Sequence, residues 1–286
     1  MRSIRYIACV AIAACVAFLL PACGASAVRD GDTSAPLIVQ GAMDAEMRRL
    51  VAALDHPVEE HVGGWAFWSG TLDGHRVVVS KTMKGMANAA AATALGADRY
   101  HPAAIINQGT AGGHQPDLHA FDIVIGVESV NLGSIKTPFR AKGQGSRSEE
   151  WQPLDLLRSE GSAGTDPLAI SMRRFKADDG LLLAARSVRG QYSKGRVVDG
   201  VIGSSDAWNS ELDRIARFHS QFGTSVEEME TASAAQVAAD FGIPFLGVRV
   251  LSNNITNGDT YQRTAGEESQ QFVLSVMRAY FTRAKR

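Results

Sequence analysis

Short apolar runs typical of β-strands alternate with helix-like segments along almost the whole chain, and this alternation most constrains the fold. Continuous apolar runs are expected of strands that are buried on both faces, and the intervening segments repeat their apolar residues at helical spacing. The strand-like runs are Leu37–Met43, Arg76–Ser80, Ala103–Gln108, Asp122–Val127, Val197–Ile202 and Pro244–Leu251. The helix-like segments are Asp44–Leu54, Met86–Arg99, Asn209–His219, Glu230–Phe241 and Thr264–Arg283. The pattern predicts an α/β protein with a central sheet and helices on both faces.

Composition excludes several classes of function. The 286 residues are enough for one large domain with a substantial core. With 29 basic and 30 acidic side chains, no basic excess favours nucleic-acid binding. All three cysteines lie at or before position 23, which excludes a disulfide framework, a thiolate zinc site and a cysteine nucleophile in the rest of the chain. None of the seven histidines falls in a metal-binding motif, so we expect no metal and no cofactor.

The first residues have the features of an export signal. Arg2 and Arg5 precede a 14-residue apolar run, Ile7–Leu20, which is too short to span a bilayer. The run ends in Leu20-Pro21-Ala22-Cys23, which resembles a bacterial lipoprotein box. In such proteins the signal is removed before the cysteine, so Cys23 would carry the lipid.

We therefore predict a signal peptide over residues 1–22, a tether over 23–36 and a catalytic domain over 37–286. The tether is rich in small and polar residues, as flexible linkers are. Ala25-Ser26-Ala27 would also serve an ordinary signal peptidase, which would give a soluble periplasmic or secreted protein instead of a lipid-anchored one. Either route predicts export, and loss of residues 1–22 changes the formal net charge from −1 to −3.

Unusual sequences follow the predicted strands, where functional groups of α/β folds gather. Three of the six residues of the segment Gln108–Gly113 are glycines, and Ser252-Asn253-Asn254 follows the last strand. Glu46 follows the first strand, and Glu230 belongs to a cluster of glutamates at the start of an apolar helix. Each has an ordinary structural interpretation as well: a tight turn for the glycines, a surface carboxylate for Glu46, and a helix-start acid for Glu230.

Residues 132–174 interrupt the alternation. They are rich in Gly, Ser, Arg and Glu and have little periodicity, which predicts a long loop that serves as a lid, a subunit contact or an insertion. His114 and His119, just after the glycine segment, are weaker candidates for the edge of a site.

Five motifs occur in a fixed order: Gly41-Ala42-Met43-x-x-Glu46, Asn107-x-Gly-Thr-Ala-Gly-Gly113, Ser205-Asp206-Ala207-Trp208, Glu228-Met229-Glu230 and Val248-Arg249-x-x-Ser252. Together they resemble the bacterial 5′-methylthioadenosine/S-adenosylhomocysteine nucleosidase family, within the purine nucleoside phosphorylase superfamily. The resemblance implies a single α/β domain with a central mixed sheet flanked by helices. It also implies hydrolysis of the N-glycosidic bond of a purine nucleoside, of the methylthioadenosine, S-adenosylhomocysteine or adenosine kind, to free base and sugar.

The resemblance also assigns roles residue by residue. Glu46 would position and activate the attacking water, and Glu230 would bind the ribose hydroxyls. Trp208 would stack on the purine, and the backbone of Asn209 would bind its edge. The other substrate contacts and their supporting residues are Met43, Thr110, Ala111, Gly112, Glu228, Met229, Arg249 and Ser252. Carboxylates near the sugar suit a reaction that builds positive charge there.

The family's catalytic aspartate is expected directly after Ser252, where this chain has Asn253. An aspartic acid can protonate N7 of the leaving purine and an amide cannot, and general acid catalysis is worth roughly 10²–10⁴-fold. Asparagine keeps the donor and acceptor with which it reads adenine, and related enzymes that handle 6-oxopurines also carry asparagine here. Three functions stay open: a slower adenine nucleosidase, a 6-oxopurine (inosine- or futalosine-type) nucleosidase, and a nucleoside-binding protein without turnover.

A phosphate-dependent phosphorylase is a further alternative. It would need cations around the phosphate, whereas Met43-Asp44-Ala45-Glu46 carries two carboxylates that would repel one. The sequence therefore favours hydrolysis. The resemblance also implies a homodimer, in which Phe139 would match the aromatic residue that family members lend to the partner's site.

Overall fold

Strands and helices form close to where the apolar periodicity predicts them, in a computed structural model that describes residues 35–154, 157–158 and 169–284. The predicted signal peptide, Cys23 and all but the last two residues of the tether lie outside the described residues. The strands are β1 (Leu37–Gly41), β2 (Asp55–Val62), β3 (Trp65–Leu72), β4 (His75–Lys81), β5 (Ala104–Gly113), β6 (Ile123–Asn131), β7 (Ile135–Lys136), β8 (Gln152–Pro153), β9 (Leu157–Arg158), β10 (Ile170–Ser171), β11 (Arg174–Lys176), β12 (Val197–Ser204), β13 (Thr224–Glu228) and β14 (Phe245–Asn253). The helices are α1 (Arg48–Ala52), α2 (Met86–Tyr100), α3 (Asp179–Ser187), α4 (Leu212–Phe222), α5 (Thr231–Asp240) and α6 (Ala265–Ala284).

One mixed sheet of ten strands organises the molecule, in the order β11-β6-β12-β13-β5-β1-β4-β3-β2, with β14 paired to both β5 and β6. Strand β1 runs parallel to β4 and β5, whereas β14 runs parallel to β5 and antiparallel to β6. The end of β5 also pairs with β13, so β5, β14, β6, β12 and β13 close into a ring of pairings. The predicted single α/β domain with a mixed sheet is confirmed, and Ser34–Arg286 form one compact unit.

Helices cover the sheet because successive strand residues point to opposite faces. Leu37 and Val39 of β1 share a buried apolar cluster with Phe272 and Val276 of α6. Ile38, between them, belongs to a second cluster that includes alanines of α5. Burial of such an aliphatic side chain stabilises the fold by roughly 1.5–3 kcal/mol, so the two clusters fix which face of the sheet each helix covers.

The glycine segment is not the tight turn that is its ordinary structural interpretation. Strand β5 continues through it to Gly113, because β14 on one side and β13 on the other supply backbone partners. The absence of side chains lets another group approach: a Cβ on Gly109 would lie 2.8 Å from Oε1 of Glu46. The glycine segment is therefore part of the sheet, and side chains from other elements, such as Glu46, pack directly against its backbone.

Three other local predictions need correction. The predicted helix Asp44–Leu54 is a 3₁₀ turn, Asp44–Glu46, followed by the short α1, because the side chain of Glu46 turns back to bind preceding backbone N–H groups. Helix α4 begins at Leu212 instead of Asn209, whose side chain is engaged elsewhere. The sequence pattern also missed α3 and the hairpin β2–β3, whose outer strand is largely exposed and charged.

The predicted irregularity of residues 132–174 is confirmed where the segment is described: it contains a 3₁₀ turn and strands of two or three residues. Phe139 in this segment is 93% exposed. Within residues 35–154, 157–158 and 169–284, no helix has the length and apolar character needed to cross a membrane.

Candidate active site

A cleft open to solvent lies at the carboxyl ends of β1, β4, β5, β13 and β14, with a cavity volume of about 270 Å³. It brings together every predicted site residue of the domain except Arg249: Met43, Glu46, Thr110, Ala111, Gly112, Trp208, Asn209, Glu228, Met229, Glu230, Ser252 and Asn253. Its other lining residues are Ala42, Lys84, Gly113, His114, Ala207, Ser210, Ile215, Glu227, Ile255 and Tyr261. Motifs far apart in sequence thus meet at the sheet edge where α/β folds bind ligands.

Glu46 is held by four hydrogen bonds in the wall of the cleft. Its Oε2 accepts the backbone N–H groups of Ala42 (3.1 Å) and Met43 (3.2 Å), and its Oε1 accepts the backbone N–H (2.9 Å) and hydroxyl (3.0 Å) of Thr110. Three of these donors belong to the backbone and are fixed, whereas the Thr110 hydroxyl can rotate. A water molecule can therefore share or replace the hydroxyl contact without disturbing the other three.

Glu230 lies where β13 gives way to α5, and it is buried among other carboxylates. Its Oε1 accepts the backbone N–H of Gly85 at the start of α2 (3.0 Å), and Arg249 Nη2 lies 3.8 Å from its Oε2. Burial, with the negative charges of Glu228 and Glu46 nearby, raises the pKa of Glu230 to about 8, although Arg249 and Gly85 oppose the shift. At neutral pH Glu230 therefore favours its protonated form, which can both donate to and accept from hydroxyl groups.

Glu228 supports the site from below. Its carboxylate accepts the backbone N–H groups of Glu230 (3.0 Å) and Thr231 (3.0 Å), the hydroxyl of Ser204, and Arg249 Nε (3.0 Å). Arg249 is only 1% exposed and also donates to Asn107. This ion pair holds the start of α5 in place. The Arg249 side chain does not line the cleft, and the donors named above already bind the Glu228 carboxylate.

Asn253 faces the cleft with its amide nitrogen. Its Oδ1 accepts the hydroxyl of Ser252 at 2.9 Å, which leaves the NH₂ group as the end available to a ligand. The Ser252 hydroxyl also lies 3.3 Å from the backbone oxygen of Ala111. A Cβ on Gly112 would meet only the Asn253 nitrogen, in van der Waals contact at 3.8 Å, so the amide nitrogen lies over Gly112.

Trp208 and Asn209 form the opposite side of the cleft. Trp208 is 79% exposed, so its ring is free to cover a ligand. Asn209 Nδ2 donates to Glu227 Oε2 (2.9 Å), which also contacts His114 Nε2 (3.0 Å), and the Ser205 hydroxyl donates to Glu227 Oε1 (2.7 Å). Burial favours a higher pKa for Glu227, but the hydrogen bonds and charge of His114, with Asn209 and Ser205, lower it below its ordinary value.

Carboxylates dominate the charge of the lining. Four glutamates face one lysine, Lys84, and no arginine is among the lining residues of the described chain. In the same described ranges, no three His, Cys, Asp or Glu side chains cluster as a metal ion would require. The arrangement therefore suits a neutral ligand on which positive charge develops.

The sequence pattern of the phosphorylase superfamily matches residues 36–284, nearly the whole described domain. The chain belongs to the phosphorylase superfamily. Curated relatives of this superfamily member include a 5′-methylthioadenosine/S-adenosylhomocysteine nucleosidase from Geobacillus thermodenitrificans, 30% identical over 251 residues, which cover 86% of this chain and 97% of the relative. A nucleosidase of the same name from Bacillus thuringiensis is 30% identical over 248 residues, which cover 84% and 97%. The family resemblance drawn from the motifs is confirmed.

Solved structures agree with the superfamily assignment. A nucleosidase from Colwellia psychrerythraea in complex with adenine is 27% identical, with a TM-score of 0.67 over 86% of this chain and 96% of its own. A futalosine hydrolase from Helicobacter pylori has a TM-score of 0.68 over 86% and 99%, and at 21% identity it shows the shared fold alone.

The sequence-based prediction for this superfamily member did not include every residue that lines the cleft. Glu227 belongs to the predicted cluster of glutamates, but its partners His114 and Ser205 are distant in sequence, so no role was predicted for it. His114 itself was among the weaker candidates and is buried in the wall of the cleft. His119 is exposed and pairs with Asp259 (3.1 Å), outside the lining.

Proposed function

We propose that this protein hydrolyses the N-glycosidic bond of purine nucleosides and releases free base and sugar. The observation that carries the proposal is the pair Glu46 and Glu230 in one cleft, opposite the amide of Asn253. Nucleosides with an adenine base belong to the class to be tested, because the curated relatives carry the name 5′-methylthioadenosine/S-adenosylhomocysteine nucleosidase.

Each group has a role that its contacts support. Cleavage builds positive charge on the sugar, and the Glu46 carboxylate stabilises that charge and takes a proton from the attacking water. Glu230, at the start of α5, binds the ribose hydroxyls. Asn253 donates a hydrogen bond to N7 of the leaving purine, which stabilises the electron density that arrives there but transfers no proton.

Hydrolysis is favoured over phosphorolysis by the charge of the cleft. Arg249 is the only arginine that contacts the lining glutamates in the described residues, and its guanidinium is committed to Glu228 and Asn107. Lys84 is the one lysine in the lining of the described cleft, beside four glutamates of which Glu230 favours its protonated form. The lining therefore lacks the group of cations that would hold a phosphate ion, whereas water needs none.

The test is a substrate panel. Base release from adenosine, methylthioadenosine, S-adenosylhomocysteine, inosine and guanosine is measured by chromatography, with and without phosphate. We expect release without phosphate, and strict phosphate dependence would replace hydrolysis by phosphorolysis. Calorimetric binding of nucleosides with no cleavage over a day would instead indicate a nucleoside-binding protein.

A 6-oxopurine nucleoside is the second candidate substrate. The Ser252 hydroxyl occupies an acceptor position of Asn253 and turns the NH₂ group toward the cleft. Two adjacent acceptors, N7 and the 6-oxo oxygen, suit that group, whereas the 6-amino group of adenine is itself a donor.

We further propose that the protein is exported and anchored by lipid at Cys23. The support is the sequence alone: two arginines, an apolar run and the cysteine box. Labelling with a palmitate analogue in a bacterial host, compared between the wild type and Cys23→Ala, tests this proposal. Labelling of both proteins, or of neither, would contradict lipidation at Cys23.

A homodimer is also proposed, with Phe139 reaching the partner's cleft. Its support is the resemblance and the 93% exposure of this aromatic ring. Sedimentation of the domain from residue 37 should give the mass of two chains. Phe139→Ala should raise KM without changing that mass, and an unchanged KM would remove Phe139 from the site.

A further inference from the structure

A second group of polar side chains, all but Ser205 of which line the cleft, has no role in the sugar chemistry. Glu227, His114, Ser205 and Asn209 are joined by hydrogen bonds, and we call them the base-edge cluster. Glu227 and His114 are buried, and His114 Nδ1 also contacts the hydroxyl of Thr224 (2.8 Å). Buried polar networks are costly unless every member is satisfied, so a network that lines a ligand cleft calls for an explanation.

The register of the sheet places this cluster opposite Asn253. Gly112 of β5 pairs with Glu227 of β13 on one side and with Asn253 of β14 on the other. Because neighbouring strands lie about 4.8 Å apart, the Cα atoms of Glu227 and Asn253 are separated by about 10 Å. Paired residues direct their side chains to the same face of a sheet, and the Asn253 amide nitrogen lies over Gly112, 3.8 Å from the position of a Cβ there. Glu227 and Asn253 both line the cleft, so a flat base bound between them can make a hydrogen bond to each.

The two ends of the gap differ in hydrogen-bonding character. A carboxylate has about four acceptor positions, and Glu227 uses three of them for Ser205, His114 and Asn209. One position remains on Oε1, and the low pKa of Glu227 keeps the group ionised, so it can only accept. At the other end, the Ser252 hydroxyl leaves Asn253 with its NH₂ group as the free donor.

We propose that Glu227 selects the base by accepting a hydrogen bond from the N1–H group of a 6-oxopurine, while Asn253 donates to N7 and the 6-oxo oxygen. Hypoxanthine and guanine carry a hydrogen on N1, whereas adenine presents a lone pair there, which would face the carboxylate without a proton between them. This inference rests on the proposed function and narrows its substrate class to 6-oxopurine nucleosides.

The experiment compares kcat/KM for inosine and adenosine in the wild type, in Glu227→Gln and in the control Glu211→Gln. Glu211 also carries a carboxylate, but it contacts Ser148 and does not line the cleft. We expect the wild type to prefer inosine. Because a glutamine can turn its NH₂ group toward N1 of adenine, Glu227→Gln should lower the inosine-to-adenosine ratio by roughly 10- to 100-fold, as one base-edge contact does. Glu211→Gln should leave the ratio unchanged.

The outcomes separate this inference from the function on which it rests. A wild-type preference for adenosine, or an equal loss of both activities in Glu227→Gln, would overturn the role of Glu227 in selection. Calorimetry with the free bases tests the same role in the wild type without any variant: hypoxanthine should bind more tightly than adenine, and the reverse order would overturn the inference. If hypoxanthine binds more tightly but no nucleoside is cleaved, the hydrolase proposal fails and the base selection stands.

Discussion

The two ends of the cleft hold their carboxylates in different ways. At the sugar end, Glu46 accepts three backbone N–H groups and Glu230 accepts a fourth, from Gly85. At the base end, Glu227 is held by the side chains of Ser205, His114 and Asn209. Backbone donors persist through substitution of the residues that supply them, whereas side-chain donors do not. The fold therefore fixes the groups proposed to act on the sugar, while we expect a few substitutions to change which base is accepted.

Loss of the Glu46 carboxylate should have the largest effect. Glu46→Gln removes both the charge that stabilises the sugar cation and the proton acceptor for water, so kcat should fall by about 10²–10⁴-fold. One side of the new amide must also face backbone donors, so the melting temperature should fall as well. Kinetics on the folded protein check this, with Glu267→Gln as a control because Glu267 only pairs with exposed Arg49 (2.6 Å). Near-normal turnover would remove Glu46 from the mechanism.

Substitution of two glycines of β5 tests the sugar end and the base end of the cleft separately. In Gly109→Ala the new Cβ would lie 2.8 Å from Glu46 Oε1, so the carboxylate must move and kcat/KM should fall by about 100-fold. Gly112→Ala meets only the Asn253 nitrogen, at 3.8 Å, so it should keep the melting temperature and raise KM by narrowing the space for the base. If both variants changed kcat and KM to the same extent, Gly109 and Gly112 would not serve different ends of the cleft.

The pH dependence of stability should differ between the two ends. The pKa of Glu230 is raised from 4.5 to about 8, so the folded protein holds a proton that the unfolded chain loses, and Glu230 lowers stability as the pH rises from about 4.5 to 8. The slope is at most about 1.4 kcal/mol per pH unit. In denaturant titrations at several pH values, Glu230→Gln should remove this decline and stabilise the protein most near pH 8. An unchanged pH profile would show that Glu230 is ionised in the folded state.

The pH dependence of stability that Glu227 contributes should have the opposite sign to that of Glu230. Its pKa is lowered in the folded protein, so its contribution is present above the unfolded value and is lost as the pH falls through the folded one. Glu227→Gln should therefore destabilise the protein at neutral pH and have little effect in acid. The same titrations measure both variants, and slopes of the same sign would contradict the contrast between the ends.

Asn253→Asp should have the smallest effect on catalysis. A carboxylic acid at this position can protonate N7, which the amide cannot, so turnover of adenosine should rise. The rise should be smaller than the roughly 10²–10⁴-fold that general acid catalysis is worth, because the amide already donates a hydrogen bond to N7. Inosine should gain less, because the aspartate has fewer hydrogens to donate to N7 and the 6-oxo oxygen together. Steady-state kinetics on both nucleosides check this, and unchanged turnover of adenosine would show that N7 protonation does not limit the rate.

Sequence reasoning reached the sugar end more fully than the base end. Glu46 and Glu230 follow strands directly, so apolar periodicity placed them at one edge of the sheet. The 3₁₀ turn that aims Glu46 was not predicted, because it depends on the backbone N–H groups that its own side chain binds. Glu227 belongs to the predicted glutamate cluster but was assigned no role, because the role proposed for it depends on pairing with Gly112 across β13 and β5, a register that no local pattern specifies.

The floor of the cleft is a hydrogen-bonded strand, and this has a consequence for the motions of the site. Strand β5 lies between other strands of the ten-stranded sheet, and even at its carboxyl end, near Gly112, it pairs with β13 on one side and β14 on the other. The amides of such a strand exchange their hydrogens only in the rarest openings of a protein, whereas an exposed segment like that of Trp208 exchanges quickly. We therefore expect the motions that admit substrate and release product to occur on the Trp208 side of the cleft, with the strand beneath it staying in place.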